Sequence, residues 1–555
     1  MREIVGAIIV AVVAALVCFF HLGAYGLWEP DEARYAEIAR EMLVLRDFVV
    51  PHLNYVPYIE KPPLLYWLTA LAMHAFGVNE FAARFVNAAA ACAGVAADYL
   101  FARRVIDSRH AFWSAIILST SALYAVMAQV LTTDMLLTAT ITVALFAFFL
   151  HWREDGGWCW IMYVAIALAV LTKGPIGLAI PLVAGAIFLV TERDWRHALR
   201  RFRVVPGFCL TAAIVAPWFV AVAIRQPDFL DFYFVGEHFR RFFQSSYSHG
   251  QPIYYYVPVI IAGTLPWSIL APFAAWRSLT PNPARRFCLI SAATIFVVFS
   301  CASAKLIPYI LPALPPLAIV IASGLLGFTD REHDSALAVA NSSRRLAASG
   351  PILSLLGAGV MLAGIFANRF ASPNPMLVRP ALYFAGAIVL VAGAICFAAF
   401  WQHRFEAGLA TIATAAVAIL IVASYGRIMS EPARSYAELA RAIAERAPDA
   451  RLICYPRYLQ SLPFYARRRV ILIGAKTELA YGAAHASDAA NFFFTRRADL
   501  LRLWNEPIPS VLIVDRAAFA PLAASLGPYT VVAADAKKIA VTRGTSDPAQ
   551  RPIGG

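Results

Sequence analysis

The sequence predicts a polytopic α-helical membrane protein that carries a small α/β domain at its C-terminal end. Three observations carry that prediction. Of 555 residues, 60% are hydrophobic and only 15% charged, where soluble domains run nearer half apolar and a quarter charged. The mean hydropathy is +0.65. Apolar runs of membrane-spanning length alternate with basic clusters up to about residue 425, and beyond it the pattern changes. Lys and Arg number 47 against 34 Asp and Glu, an excess that in such a chain marks cytoplasmic loops or anionic head groups. No nucleic-acid-binding module is visible. The eight Cys are scattered without a C-x-x-C pair, which argues against a disulfide framework and a zinc ribbon.

A spanning helix needs ~20 apolar residues, with basic clusters on the cytoplasmic side. The N-terminal run has no small-x-small cleavage site and is long enough to span, so it reads as an uncleaved first helix. The basic clusters are Arg103, Arg104 and Arg109, residues 192–203, residues 277–286, Arg344 with Arg345, and His403 with Arg404. Placing all of them inside leaves thirteen spans: 4–26, 81–102, 111–130, 135–152, 158–172, 176–191, 204–224, 257–276, 287–304, 307–328, 347–367, 381–400 and 405–424. With an odd count and the N-terminus inside, everything after residue 425 lies outside. The stretch "PPLLYWLTALAMHAFG", 62–77, is apolar but short and opens on two prolines. Spanning would carry Arg103, Arg104 and Arg109 outward, so an interfacial helix is expected there, with 32–46 as a second amphipathic one.

Beyond residue 430, "SYAELARAIAERAP" has the spacing of an amphipathic helix, and "ARLICYP", "RRRVILIG", "SVLIVD" and "YTVVAAD" that of strands. The expected division is a transmembrane domain over 1–428 and an outer α/β domain over 429–555, whose last dozen residues read as a disordered tail. The outer domain has no nucleophile elbow, Gly-rich phosphate loop or metal spacing.

In this topology the outer loops collect ionisable groups. The first holds Glu29, Asp31, Glu32, Arg34, Tyr35, Tyr55, Tyr58, Glu60 and Lys61; the next ones bring Asp134 and Lys173; the fourth has Glu237, His238, Arg240 and Arg241 among aromatics; the fifth has Lys305 and Tyr309. Such groups at membrane depth cost several kcal/mol and mark function. Each has an ordinary alternative. Lys173 is an interface anchor, Arg240 and Arg241 a solvated face, and Asp31 behind Pro30 a helix N-cap with Glu32 in the favourable first turn. For any one residue the ordinary reading competes; for five loops on one side it does not.

"WEPDEARYAEIAREM", "YIEKPPLLYW", "LTTDMLL", "LTKGPIG", "EHFRRF", "GTLPW" and "SAKLIPYILPALPPLA" occur in that order. They resemble the GT-C membrane glycosyltransferases of the protein mannosyltransferase-like group. Within it they most resemble the bacterial undecaprenyl phosphate-aminoarabinose:lipid A transferases, over roughly residues 5–330. The resemblance implies a GT-C fold with outer juxtamembrane helices, an undecaprenyl-phosphate-linked aminoarabinose donor and a lipid A acceptor. It also implies a periplasmic active site on a multi-pass inner-membrane protein, conferring resistance to polymyxin and other cationic peptides. By motif, Asp31 is the essential carboxylate and Asp134 a second catalytic candidate; Lys61, Arg241 (a better match than Arg240), Arg240, Tyr58 and Tyr309 serve the donor phosphate. Glu29, Glu32, Lys173 and Lys305 are candidate substrate contacts.

Cleaving a sugar from a lipid monophosphate builds oxocarbenium character on the sugar and negative charge on the departing phosphate, which a few cations serve without a metal. No cofactor is expected. A divalent ion bridging Glu60 and His238 would have too few ligands to make a site. A hydroxyl acceptor would need Asp31 as general base; an anionic lipid A phosphate would need it only to orient cations or to pair with the sugar's ammonium. Alternatives are a protein O-mannosyltransferase or another polyprenyl-phosphate-sugar transferase with a hydroxyl acceptor, and a lipid-linked sugar flippase. No internal repeat supports a transporter.

Overall fold

The computed structural model describes residues 1–240, 250–273, 282–327, 343–366, 375–429 and 431–544. Two compact units emerge, each discontinuous in sequence. One takes Met1–Leu22 with Arg84–Gly426, the other Gly23–Ala83 with Arg427–Gly555. Instead of dividing simply near residue 428, the chain folds its first long loop with its C-terminal segment.

The described elements of the first unit are helices, and they make this a multi-pass membrane protein. Among the described residues, eight helices are long and apolar enough to cross a membrane, from Glu80–Val105 to Phe405–Met429. Two bent pairs and the shorter Glu3–Phe19, Trp158–Lys173 and Ile176–Thr191 cover the rest of the thirteen expected stretches. The bent pairs join Ser108–Thr120 to Ala122–Ala128 at 66° and Tyr256–Gly263 to Trp267–Phe273 at 108°. Backbone groups freed at such breaks need partners where water is absent. Here the two breaks serve each other. The Ala122 amide donates to the Leu265 carbonyl at 3.1 Å, and the buried Trp267 Nε1 donates to Thr120 Oγ1 at 2.9 Å. Asn87 ties Val130 and Thr132 carbonyls at 2.7 and 2.8 Å. An aromatic core of Phe101, Phe146, Phe149, Phe188 and Phe287 fills the middle, with Phe101 and Phe146 stacked at 4.1 Å.

The second unit opens with the helix Asp31–Leu45, then a hairpin of β1 (His52–Leu53) and β2 (Val56–Pro57), then the helix Leu64–Phe76. The hairpin turn residues Asn54 and Tyr55 both have positive φ, 53° and 62°, as a type I′ turn requires. Asn54 pays back the strain by bridging Val470 of the C-terminal sheet, accepting from its amide at 2.8 Å and donating to its carbonyl at 2.9 Å.

That sheet has six strands in the order β5-β4-β3-β6-β8-β7. They are β3 (Arg451–Tyr455), β4 (Val470–Ile473), β5 (Phe493–Phe494), β6 (Ser510–Asp515), β7 (Tyr529–Ala534) and β8 (Lys538–Arg543). Strands β3 to β6 pair in parallel, and β8 runs antiparallel between β6 and β7. The central strands are apolar on both faces, as covered parallel strands are. Ile453, Leu512 and Val514 pack with Trp504, Leu522 and Leu526 of the crossover helices. Strands β3, β4, β6 and β7 and the helix Ala437–Arg446 match the expected segments. β5 and β8 were not anticipated: β5 is two residues long, and "KIAVTR" is too polar at its ends to stand out. The expected tail lies outside the described residues from 545 onward.

Candidate active site

Among the described residues, two groups of candidates stand out, one in each unit. In the second unit, helix Asp31–Leu45 starts after Pro30, and Glu32 Oε2 accepts from the Trp28 amide at 3.0 Å, satisfying a donor just before the helix. One turn on, at the i+3 spacing that places side chains together, the Arg34 guanidinium pairs with Asp31. Asp31 keeps half of its side chain exposed (50%), whereas the Arg34 side chain is only 15% exposed. Around Arg34 stand Tyr35, Tyr58, Tyr66 and Glu60. Tyr58 donates to Glu60 Oε2 at 2.8 Å, and Arg34 lies 5.3 Å from the Tyr35 ring centroid. Burial opposes the Arg34 charge, but Tyr58, Tyr35, Asp31 and Glu60 outweigh it and raise its pKa above the arginine range. Burial likewise lifts the Tyr58 and Tyr66 hydroxyls well above the usual phenol value, keeping both as neutral donors. Arg34 Nε and the Tyr66 hydroxyl have no hydrogen-bond partner among the described residues. A buried fork with an open donor beside a half-exposed carboxylate suits an anionic ligand. Lys61 follows directly on Glu60, part-buried, at the entry to helix Leu64–Phe76.

In the first unit, Asp134 lies in the first turn of helix Thr133–Glu154 and Lys173 in the last turn of Trp158–Lys173, each favoured by its helix dipole. They meet as an ion pair, Nζ to Oδ1 2.5 Å, with side chains 10% and 14% exposed. The Lys173 ammonium also stands 4.1 Å from the Tyr309 ring centroid. Asp134, Lys173 and Tyr309 thus form one group.

Other candidates take structural partners. Glu29 accepts from the Gln460 and Ser461 amides at 3.0 and 2.7 Å. Burial raises its pKa, although those amides pull the other way. Lys305 is buried and donates to the carbonyls of Ala302 and Gln251 at 2.6 and 3.0 Å. Glu32 is occupied at the helix start. These geometries favour a framework role for all three. Arg241 lies outside the described residues, as do the side chains of His238 and Arg240, whose backbone ends the helical segment Asp231–Arg240. Among the described residues no group of three or more His, Cys, Asp or Glu is placed to hold a metal. Arg34, named in the sequence among the outer-loop groups but given no role there, is the one that pairs with Asp31; its i+3 relation to Asp31 was the available signal.

Residues 60–220 match the dolichyl-phosphate-mannose-protein mannosyltransferase family, and residues 439–543 match the aminoarabinose transferase C-terminal domain. The undecaprenyl phosphate-α-4-amino-4-deoxy-L-arabinose arabinosyl transferase of Edwardsiella ictaluri is 33% identical over 65% of this chain and 65% of its own, so the match spans just under two thirds of that relative. The enzyme of that name from Pectobacterium carotovorum is 31% identical over 70% of this chain and 69% of its own. The crystal structure of ArnT from Cupriavidus metallidurans bound to undecaprenyl phosphate is 27% identical, with a TM-score of 0.86 over 97% of this chain and 98% of that one. That superposition bears out the polytopic GT-C fold with its small C-terminal sheet. The chain belongs to the undecaprenyl phosphate-α-4-amino-4-deoxy-L-arabinose arabinosyl transferase family.

Proposed function

We propose that this chain is a glycosyltransferase that moves 4-amino-4-deoxy-L-arabinose from undecaprenyl phosphate to lipid A phosphates at the periplasmic face of the inner membrane. The observation that carries this reading is the nearly full-length likeness to a solved relative that holds undecaprenyl phosphate. In the reaction, an oxygen of the acceptor phosphate forms a bond to the anomeric carbon as the bond from that carbon to the donor's phosphate oxygen breaks. Undecaprenyl phosphate leaves with the electron pair. No proton has to be removed from an anionic acceptor, so Asp31 acts here by orienting cations and by pairing with the sugar ammonium. Lys61, Arg241 and Arg240 neutralise the departing phosphate, and Arg34, paired with Asp31, and Tyr58, beside Arg34, assist. Asp134, Lys173 and Tyr309 form a second group for a substrate of mixed charge.

The match of residues 60–220 to protein mannosyltransferases favours a second reading with a hydroxyl acceptor. The C-terminal match to the aminoarabinose transferase domain weighs against it. Mass spectrometry of lipid A from cells with and without the chain decides. An aminopentose added to phosphate is expected, and an unchanged spectrum overturns the reading.

A further inference from the structure

Away from both clusters, the C-terminal end of helix Glu80–Val105 faces helices Thr133–Glu154 and Trp158–Lys173 across a groove of about 500 Å³. Its floor is apolar, with Phe101, Phe146 and Ile161, and Leu100 is 61% exposed beside it. Its mouth is basic and aromatic: Arg103, Arg104 and Trp158. The Arg104 guanidinium lies 5.3 Å from the Trp158 ring centroid. Tryptophan and arginine at one level are what a helix presents to a membrane–water interface, and the apolar floor begins where that level ends.

The two arginines are not locked. Arg103 pairs with Glu3 at 2.9 Å and Arg104 with Glu154 at 2.7 Å, and the arginine side chains remain 46% and 52% exposed. Exposed pairs of this kind are weak and exchange readily. A phosphodiester replaces the carboxylates bidentately, while its acyl chain enters the groove.

We propose that this groove is a binding site for an acidic phospholipid, with the phosphate on Arg103 and Arg104, one acyl chain along Phe101, Phe146 and Ile161, and Trp158 at the level of the glycerol. The site has no part in the sugar-transfer reading and stands without it. Charge complementarity selects the occupant: a basic pocket between membrane helices takes an anionic head group, and the apolar floor demands a chain that free phosphate lacks.

The test is native mass spectrometry of the full chain released from nanodiscs made of equal parts dioleoyl-phosphatidylglycerol and dioleoyl-phosphatidylcholine. Wild type is expected to retain one phosphatidylglycerol about tenfold over phosphatidylcholine, the scale of one to two surface basic groups. Arg103→Ala with Arg104→Ala should lose that preference. Leu100→Trp, which narrows the groove and leaves every charge in place, should lose the bound lipid altogether, and Glu154→Gln, which releases Arg104, should increase retention. Thermal unfolding of each variant identifies any that fail to fold, and Leu100→Trp and Glu154→Gln keep the test valid if the arginine pair is needed for folding. Equal retention of the two lipids by wild type, displacement of phosphatidylglycerol by inorganic phosphate alone, or undiminished retention in Leu100→Trp overturns the proposal.

Discussion

Between Glu37 and Glu41, helix Asp31–Leu45 buries two carboxyl groups and one guanidinium, and the cost of losing the Arg40 counter-charge should appear in full only when both glutamates are replaced. Arg40 meets Glu37 through both oxygens at 2.6 Å, with side chains 5% and 0% exposed. Glu41 accepts from the Tyr55 amide at 2.9 Å. Burial first, and then the neighbouring Glu37 carboxylate, push Glu41 well above the usual carboxylate range. The Arg40–Glu37 ion pair therefore has beside it a Glu41 carboxyl that burial and the Glu37 carboxylate bias toward its protonated form. Glu41→Gln replaces that acid by its isostere and should change stability by less than about 1 kcal/mol. Glu37→Gln removes the counter-charge. Glu41 then ionises and partly replaces it, so the full cost appears only in the double variant. There, an uncompensated buried Arg40 should cost about 3–5 kcal/mol, roughly 10 °C in melting temperature for a unit of this size.

The pH dependence has a definite sign. Because the folded state holds the Glu41 proton more tightly than the unfolded chain does, stability falls as pH rises from the ordinary glutamate value through the raised one. Glu41→Gln should flatten that fall. Thermal unfolding of the full chain in detergent, followed by near-UV circular dichroism across pH 4–8, measures both effects. If Glu41→Gln alone costs as much as the double variant, or leaves the pH slope unchanged, Glu41 is ionised and the reasoning fails.

Asp31→Asn should reduce sugar transfer about 10²- to 10³-fold, with only a small melting shift because Glu60 still faces the buried Arg34; an active variant, assayed with donor lipid and lipid A in detergent, removes Asp31 from the site. Lys61→Ala should raise the donor KM more than the acceptor KM, and the reverse split transfers Lys61 to the acceptor. Lys173→Met leaves Asp134 buried without its ion-pair partner and should lower turnover about 10- to 100-fold, with partial rescue by Lys173→Arg. Glu29→Ala strands the Gln460 and Ser461 amides and should destabilise the fold by about 2–4 kcal/mol, read as a melting shift.

Helix-length apolar runs fix their own secondary structure, so all thirteen expected stretches reappear as helices or bent pairs. The bends did not register because Ser121 and the Leu265–Pro266 step interrupt hydropathy only briefly, and their stability comes from bonds between two distant segments. In the candidate site, the motif residues Asp31, Tyr58 and Glu60 do cluster, because a helix turn and a short hairpin set them locally. Glu29 and Lys305 looked equally functional in sequence. Their partners are backbone groups, one set 431 positions away, and no residue pattern encodes those. Arg34 was named but given no role for the opposite reason: on an amphipathic helix an arginine one turn after an aspartate is commonplace, and only its burial among three tyrosines sets it apart.

The second unit's split across the chain has a consequence for biogenesis. Gly23–Ala83 leaves the ribosome long before Arg427–Gly555, an interval of roughly 20–70 s at ordinary elongation rates. Throughout it, Asn54 lacks the edge of β4 and Glu29 lacks the amides it caps. The nascent first loop must wait incomplete while the membrane helices insert, and a chain stopped short of residue 427 would lose the partners that anchor Asn54 and Glu29 along with the sheet.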